Sequence, residues 1–299
     1  MTNKPLSLSV VIPVKDRQEA LMRAIASVKA QSYPVSNIIV VDDGSAEEVG
    51  PILKKKYPDV IYLRNSESQG APFSRNRGWK HAGSELIAFL DSDDEMKPDN
   101  LSRKVGMLIE QGLDMVIGSI ELNENGKVSP QKFKITPDRP LRDHLLLNTP
   151  FDARTSTFVI KRQVLESISF DHNLKKHQDW DLFINVDYHY NVGYTNYCDT
   201  TLHIASDDRI SSKLQHESTK YFITKNQTKV SDQAMFMFLL KMLYKSQIRR
   251  DHEGTTLYRT LLAGYKRKVN FTSEIIIFLV KYKILNVSLL QKLKKLLKS

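Results

Sequence analysis

The sequence predicts an α/β fold built on a doubly wound, mostly parallel sheet. Three observations support this class. Short apolar segments rich in β-branched residues recur without alternation, which is typical of strands buried on both faces. Segments with helical spacing separate them. Acidic residues directly follow two of the strands, at the edge where open α/β sheets bind their ligands.

The first four predicted strands alternate with four predicted helices, which indicates parallel strands joined by crossover helices. Leu21, Ala24, Ile25 and Val28 lie three and four residues apart, which predicts a helix over residues 19–31, and Tyr33-Pro34 prevents its continuation. Glycines and prolines at the segment ends mark the other boundaries. The predicted strands are 8–14, 38–41, 60–63 and 85–90, and the predicted helices are 19–31, 46–57, 74–82 and 98–111.

The pattern is less regular after residue 112. Strands are predicted at 115–122 and 155–160, and helices at 164–168 and 179–190. From about residue 219 onward the spacing predicts helices only, at 231–244, 255–265, 273–282 and 288–297. A change of domain is therefore expected near residues 210–220.

The cysteine content and the lengths of the apolar runs limit the cellular compartments in which the protein is expected. The chain has 299 residues and one cysteine, Cys198, so a disulfide scaffold and a cysteine-rich zinc site are excluded. The apolar run near the start is followed by Lys15, Asp16 and Arg17, which fits a buried strand better than a signal peptide. The longest apolar run elsewhere, 275–280, is too short to span a bilayer. We expect a cytoplasmic protein, with peripheral contact to the inner face of the membrane.

The charge of the chain is concentrated in its last third. Residues 213–299 carry 18 Lys and Arg against 5 Asp and Glu, a net charge of +13, whereas the remaining residues carry −3. Residues 288–298 have the spacing of a basic amphipathic helix, which favours binding to an anionic membrane surface. The same spacing fits a helix packed on its own protein or on a second subunit.

The acidic motif Asp91-Ser92-Asp93 ends one predicted strand. Carboxylates at this spacing offer the hard oxygen ligands that Mg²⁺ and Mn²⁺ prefer, and a metal there would offset the charge of a diphosphate. The motif by itself is weak evidence, because solvated turns and helix caps have the same composition. Asp94 in particular could cap the helix that begins at Pro98.

Two further segments carry candidate nucleotide contacts. Asp43 ends an earlier strand and could accept hydrogen bonds from a nucleobase, although Asp42-Asp43-Gly44-Ser45 is also a turn signal. Arg75 and Arg77 place cations near a helix start, where phosphates bind. Surface salt bridging is the simpler explanation for both arginines.

Four motifs occur in order along the chain: SVVIPVKDR, VVDDGS, GAPFSRNRGWKHAGSELIAFLDSDDEMKPDNL and HQDWDLF. In this arrangement the sequence resembles family 2 glycosyltransferases of the GT-A fold over residues 7–212. The resemblance implies a GT-A domain at 1–212, with a nucleotide-binding half at 1–115 and an acceptor-binding half at 116–212. A basic helical extension follows at 213–299.

The resemblance also implies an activity. The enzyme would move a sugar, with inversion, from a UDP-sugar to a hydroxyl of a saccharide or lipid-linked saccharide in bacterial surface polysaccharide synthesis. Mn²⁺ or Mg²⁺ would be the cofactor. Because HQDWDLF contains the matching aspartate, Asp179 would be the base that takes the proton of the acceptor hydroxyl.

The remaining roles are carried over residue by residue. The implied contacts are Pro13 and Val14 beside the nucleotide, Asp43 on the base, Arg75 near the base and phosphates, Asp91 on the ribose and the water shell of the metal, and Asp93 on the metal. Gln178 is a candidate acceptor or phosphate contact that stands where the family has glutamate, and Val14 lacks the family's hydroxyl. Trp180 could stack on a sugar ring and Arg209 could bind phosphate.

Two alternatives remain at this stage. A nucleotidyltransferase of the same fold would carry a Gly-rich loop after the first strand, and Val14-Lys15-Asp16-Arg17-Gln18 has no glycine. A non-catalytic or nucleic-acid-binding module would not require Asp91, Asp93 and Asp179 together. The tail contains no known nucleic-acid motif, so no nucleic-acid partner is expected.

Overall fold

A computed structural model describes residues 5–147, 149–204 and 215–265. The predicted helices at 273–282 and 288–297 lie outside the described residues, as does Arg209. The predicted domain boundary after residue 212 also falls outside them. Within the described residues, no helix is both long and apolar enough to cross a membrane.

Nine strands of the described residues form one sheet. In chain order they are β1 (Leu8–Val14), β2 (Asn37–Asp42), β3 (Ile61–Arg64), β4 (Leu86–Phe89), β5 (Asp94–Met96), β6 (Met115–Glu124), β7 (Lys127–Gln131), β8 (Val159–Lys161) and β9 (Val192–Ile204). The order across the sheet is β3-β2-β1-β4-β8-β6-β9-β5, and β7 pairs with β6.

The described helices alternate with the strands in the first part of the chain and dominate its last part. They are α1 (Gln18–Lys29), α2 (Gly50–Lys56), α3 (Ala71–His81), α4 (Asn100–Glu110), α5 (Leu141–Leu146), α6 (Arg162–Ser167), α7 (Gln178–His189), α8 (His216–Asn226), α9 (Asp232–Ile248) and α10 (His252–Tyr265). A short 3₁₀ turn, Thr155–Thr157, precedes β8.

The parallel, doubly wound half of the prediction is confirmed. The first four predicted strands are present as β1 to β4, and β1 pairs in parallel with both β2 and β4. Helix α1 buries Leu21 and Ile25 in the core beside Val10 and Ile12 of β1. On the other face of the sheet α3 lies close to β1, because Gly78 leaves room for Val11.

The second half of the sheet is mixed rather than parallel. Strand β8 pairs antiparallel with both β4 and β6, whereas β9 runs parallel to β6 and antiparallel to β5. Strands β5, β7 and β9 were not predicted. Strand β9 contains the buried polar residues Asp199 and Thr200, and the Asn100 side chain of α4 donates hydrogen bonds of 2.8–3.1 Å to them.

The chain divides into two compact units. The first contains the described residues of 1–142 and 150–229, and therefore includes the whole sheet, α7 and α8. The second contains 143–149 and the described residues from 230 onward, where α9 packs against α10. Ser231 caps α9 by accepting a hydrogen bond from the backbone N–H of Ala234 at 3.2 Å.

Candidate active site

The carboxyl ends of β1, β2 and β4 meet at one edge of the sheet, as the prediction required. Pro13 and Val14 end β1 opposite Val41 and Asp42 of β2. The backbone N–H of Asp43 donates to the carbonyl of Val14 at 2.8 Å, which holds the two strand ends together beyond the last ladder pair. Both predicted β1 residues are buried.

Asp43 organises the loop that leads into α3. Its carboxylate accepts five hydrogen bonds of 2.7–3.0 Å, from the side chains of Asn65, Ser68 and Ser74 and from the backbone N–H groups of Gln69 and Gly70. Burial alone would raise the pKa of Asp43, but these donors outweigh it and the pKa is lowered. Asp43 is therefore a buried carboxylate that orders the start of α3.

Helix α3 carries Arg75 into the site. Gly70 precedes the helix with φ +89°, a backbone conformation that glycine adopts readily. The buried Arg75 guanidinium donates to Asp91 at 2.6 Å and to the side-chain oxygen of Gln178 at 3.2 Å. It also lies 5.3 Å from the ring centroid of Phe170. One cation thus links the turn after β4 to the first residue of α7.

The residues Asp91 to Asp94 form a turn and not an extended strand end. The backbone N–H of Asp94 donates to the carbonyl of Asp91 at 3.0 Å. The side-chain directions of Asp91 and Asp93 are therefore set by this turn and not by the alternation of side chains along an extended strand. Asp94 is not a helix cap. It begins β5, is buried, and accepts a 2.6 Å hydrogen bond from Ser156. Burial, followed by the charges of Asp91 and Asp93, raises the pKa of Asp94 well above its usual range.

The side chains that could hold a divalent cation are the two partly exposed carboxylates of this turn. Asp91 and Asp93 are each 37% exposed, and they pair with Arg75 and Arg17 respectively. Among the described residues, no group of three His, Cys, Asp or Glu could hold a metal by itself. Two accessible carboxylates fit a Mg²⁺ or Mn²⁺ ion that is bound by one or two side chains and completes its coordination with water and substrate phosphates.

Asp179 lies in the first turn of α7. His177, just before the helix, has a left-handed backbone conformation with φ +64°, and the Asp179 carboxylate accepts a hydrogen bond from the backbone N–H of Trp180 at 3.0 Å. Burial raises the pKa of Asp179 to about 6, although the neighbouring Arg154 cation opposes the shift. A carboxyl group with this pKa is a base at neutral pH and stronger than an ordinary aspartate.

Two residues beside Asp179, Asp152 and Arg154, were not predicted from the sequence. Asp152 accepts a hydrogen bond from the Trp180 indole at 2.9 Å and another from Arg154 at 2.6 Å. The carboxylates of Asp152 and Asp179 both raise the pKa of Arg154. No motif marks Asp152 and Arg154, because they precede the 3₁₀ turn in a segment without periodicity. Their role follows only from their position in the fold.

The structure brings most of the predicted site residues to this edge. Arg75 contacts Asp91 and Gln178, and Gln178 is followed directly by Asp179 and Trp180. Asp93 pairs with Arg17, which lies just before α1. Asp43 acts through the loop into α3. The predicted phosphate ligand Arg209 is outside the described residues.

Comparison with known proteins identifies the class to which this fold and site belong. The sequence model of glycosyl transferase family 2 matches residues 9–169, more than half of the chain. The chain therefore belongs to glycosyltransferase family 2. The match includes the turn at Asp91 to Asp94 and ends before α7.

Two curated relatives are glycosyltransferases by name. The amylovoran biosynthesis glycosyltransferase AmsB of Erwinia amylovora is 29% identical over 200 residues, which cover 62% of this chain and 65% of that protein. The UDP-Glc:alpha-D-GlcNAc-diphosphoundecaprenol beta-1,3-glucosyltransferase WfgD of Escherichia coli is 27% identical over 180 residues, covering 60% and 69%. This chain thus spans about two thirds of the length of these relatives.

A solved structure of similar fold is Staphylococcus aureus TarS, residues 1–349, in complex with UDP-GlcNAc. It superposes with a TM-score of 0.64 at 20% sequence identity and covers 78% of this chain and 72% of that chain. The predicted GT-A fold is thereby confirmed.

Proposed function

We propose that the protein is an inverting glycosyltransferase that moves a sugar from a UDP-sugar to a hydroxyl group of a saccharide acceptor. A single observation carries the proposal. The Arg75 guanidinium contacts Asp91 of the acidic turn and Gln178, the residue next to Asp179. A donor bound at the acidic turn would therefore have its diphosphate near a buried cation, with a carboxylate base close by.

The proposed UDP-sugar donor is supported by the positive charge of Arg75 and by the solved structure of TarS. Arg75 is a buried guanidinium, and such a group neutralises the negative charge that develops on a leaving nucleoside diphosphate. Asp93, assisted by Asp91, would hold Mg²⁺ or Mn²⁺, which supplies further charge neutralisation at the diphosphate when bound. The solved TarS structure contains UDP-GlcNAc, which favours UDP as the nucleotide.

The acceptor side is supported by Asp179. Attack by a sugar hydroxyl requires a base within hydrogen-bond reach, and a carboxyl with a pKa of about 6 is largely ionised at neutral pH. One base opposite one leaving group corresponds to a single in-line displacement, which inverts the anomeric carbon. Trp180 presents an aromatic surface beside this base, held in place by its 2.9 Å hydrogen bond to Asp152.

The acceptor we propose is a lipid-linked or growing saccharide of a bacterial surface polysaccharide, as the names of the relatives indicate. Peripheral contact between the basic C-terminal residues and the membrane would bring the enzyme to such an acceptor. Deleting residues 284–299 tests this contact. Loss of co-sedimentation with anionic vesicles supports it, and unchanged co-sedimentation contradicts it.

The donor and the metal are tested by one set of assays. Hydrolysis and transfer are measured with UDP-glucose, UDP-galactose, UDP-GlcNAc and UDP-GalNAc, with Mn²⁺, with Mg²⁺ and with chelator. We expect metal-dependent turnover of one donor, lost in Asp93→Asn and retained in the control Asp138→Asn, whose side chain is 57% exposed on the surface. Absence of binding to every UDP-sugar in the presence of metal would contradict the proposal.

A further inference from the structure

Helix α8 lies beyond the part of the chain that the family model matches, and it packs against α7. Both helices belong to the same compact unit. Because α7 carries Asp179 in its first turn, any element that fixes the start of α7 also fixes the position of this carboxylate.

The first set of contacts holds the two residues that precede α7. The backbone N–H of Lys176 donates to the Ser218 hydroxyl at 3.0 Å. The His177 ring nitrogen Nε2 lies 3.1 Å from the Thr219 hydroxyl, and the ring is 5.0 Å from the centroid of Phe222, also on α8. The left-handed conformation of His177 is thus supported by side chains of α8.

The second set of contacts holds Asp181, which lies in the first turn of α7 two residues after Asp179. Asp181 is only 2% exposed, and its two carboxylate oxygens are both paired from α8. Lys225 Nζ lies 2.8 Å from one oxygen, and the Asn226 amide donates to the other at 2.8 Å. Lys225 also pairs with Asp171, at 2.7 Å, in the loop before α7.

We propose that α8 is a positioning element for the catalytic base, in which Ser218, Thr219 and Lys225 fix the residues on both sides of Asp179. This inference rests on the proposed function, since it requires Asp179 to be the base. His177 and Asp181 flank Asp179 at a distance of two residues each, and both are tied to α8. Small displacements of a catalytic group lower the rate strongly, so loosening α8 slows the chemical step.

The test compares Lys225→Met with Lys220→Met. Lys220 lies on the same helix and is exposed, so its variant controls for removal of a lysine from α8. We expect Lys225→Met to lower kcat at least tenfold and to leave the donor KM within twofold, because the donor contacts are on β1, β2, α3 and the acidic turn. Lys220→Met keeps the wild-type values, and Lys225→Arg recovers at least half of kcat.

A purely structural role would give a different result. If Lys225→Met lowers the unfolding temperature but retains kcat within twofold when assayed well below that temperature, the inference is wrong. If Lys225→Met does not fold, Thr219→Val and Ser218→Ala replace it. Thr219→Val removes the contact to the His177 ring, and Ser218→Ala removes the two hydrogen bonds between the Ser218 hydroxyl and the Lys176 backbone. A drop in kcat at constant donor KM supports the inference, and an unchanged kcat in both overturns it.

Asp179→Asn, measured in parallel, distinguishes failure of the positioning role of α8 from failure of the proposed function. If Asp179→Asn is inactive and the α8 variants are fully active, only the positioning role fails. If Asp179→Asn retains wild-type turnover, Asp179 is not the base, and the proposed mechanism and the positioning role are both wrong.

Discussion

The Ser156 hydroxyl donates a 2.6 Å hydrogen bond to Asp94 and accepts a 3.0 Å hydrogen bond from the backbone N–H of Asp91. Both ends of the acidic turn are therefore held by one buried serine from the 3₁₀ turn before β8. Asp93, the proposed metal ligand, lies between these two anchor points. The turn that would receive the metal and the diphosphate is preorganised by a residue distant in sequence.

We expect Ser156→Ala to damage this turn. The substitution leaves the backbone N–H of Asp91 without its partner and removes the donor to the buried Asp94 carboxyl, at a cost of about 1–3 kcal/mol of unfolding free energy. The concentration of Mn²⁺ required for half-maximal activity should rise. Ser167→Ala, at an exposed serine of α6, is the control. Unchanged metal dependence in Ser156→Ala would show that the turn does not need this anchor.

The pH dependence of the reaction should report the ionisation of Asp179. A base with a pKa of about 6 gives a kcat/KM that rises with pH and levels off above about pH 7. The Arg154 cation stabilises the ionised carboxylate, so Arg154→Gln should raise this pKa and move the rising limb to higher pH. Because Arg154 is partly exposed, solvent screening limits the size of this shift.

The matched control for this pH profile is Arg259→Gln, at an exposed arginine of α10. Its rising limb should coincide with that of the wild type. A shift of the Arg154→Gln limb to lower pH, or no limb between pH 5 and 7 in the wild type, would contradict the assignment of Asp179.

Asp43→Ala should lower both stability and donor affinity. The substitution removes the acceptor of five hydrogen bonds, whose donors all lie within residues 65–74. We therefore expect the unfolding free energy, measured by urea denaturation, to fall by about 3 kcal/mol. UDP affinity should fall because the loop into α3, which positions Arg75, loses its anchor. Wild-type stability in Asp43→Ala would show that the loop is held by other contacts.

Close packing of α3 on the sheet gives a prediction about the fold itself. A Cβ at Gly78 would lie 2.4 Å from a methyl group of Val11, whereas a Cβ at Gly83 would meet nothing within 4 Å. Gly78→Ala should therefore destabilise the protein by about 1–3 kcal/mol through overpacking, and Gly83→Ala should be close to neutral. Thermal unfolding of the two variants measures the difference, and equal unfolding temperatures would contradict it.

Local sequence patterns were sufficient for the first half of the fold. Buried parallel strands have continuous apolar runs, so β1, β2 and β4 and the acidic residues at their ends could be predicted within one to two residues. Strand β9 could not, because Asp199 and Thr200 are polar and find their partners, Asn100 and Lys104, on another element, α4. The partners of these polar residues are distant in sequence, so no local sequence pattern predicts this strand.

The candidate site divides in the same way. Asp91, Asp93 and Asp179 belong to motifs and were predicted. Arg154 and Asp152 belong to none, and their importance depends on the fold bringing residues 152 and 154 beside the start of α7. The saturation of the Asp43 carboxylate by five donors was also not predictable, since three of those donors are side chains from the following loop and helix.

The most direct test of the account is the turnover of Asp179→Asn with the preferred UDP-sugar and a saccharide acceptor, measured together with UDP affinity. General-base catalysis contributes about 10²–10⁴-fold, so we expect kcat to fall at least a hundredfold while UDP affinity stays within twofold. Retention of wild-type kcat with intact UDP binding would contradict the account, because the acceptor proton would then be removed by another group.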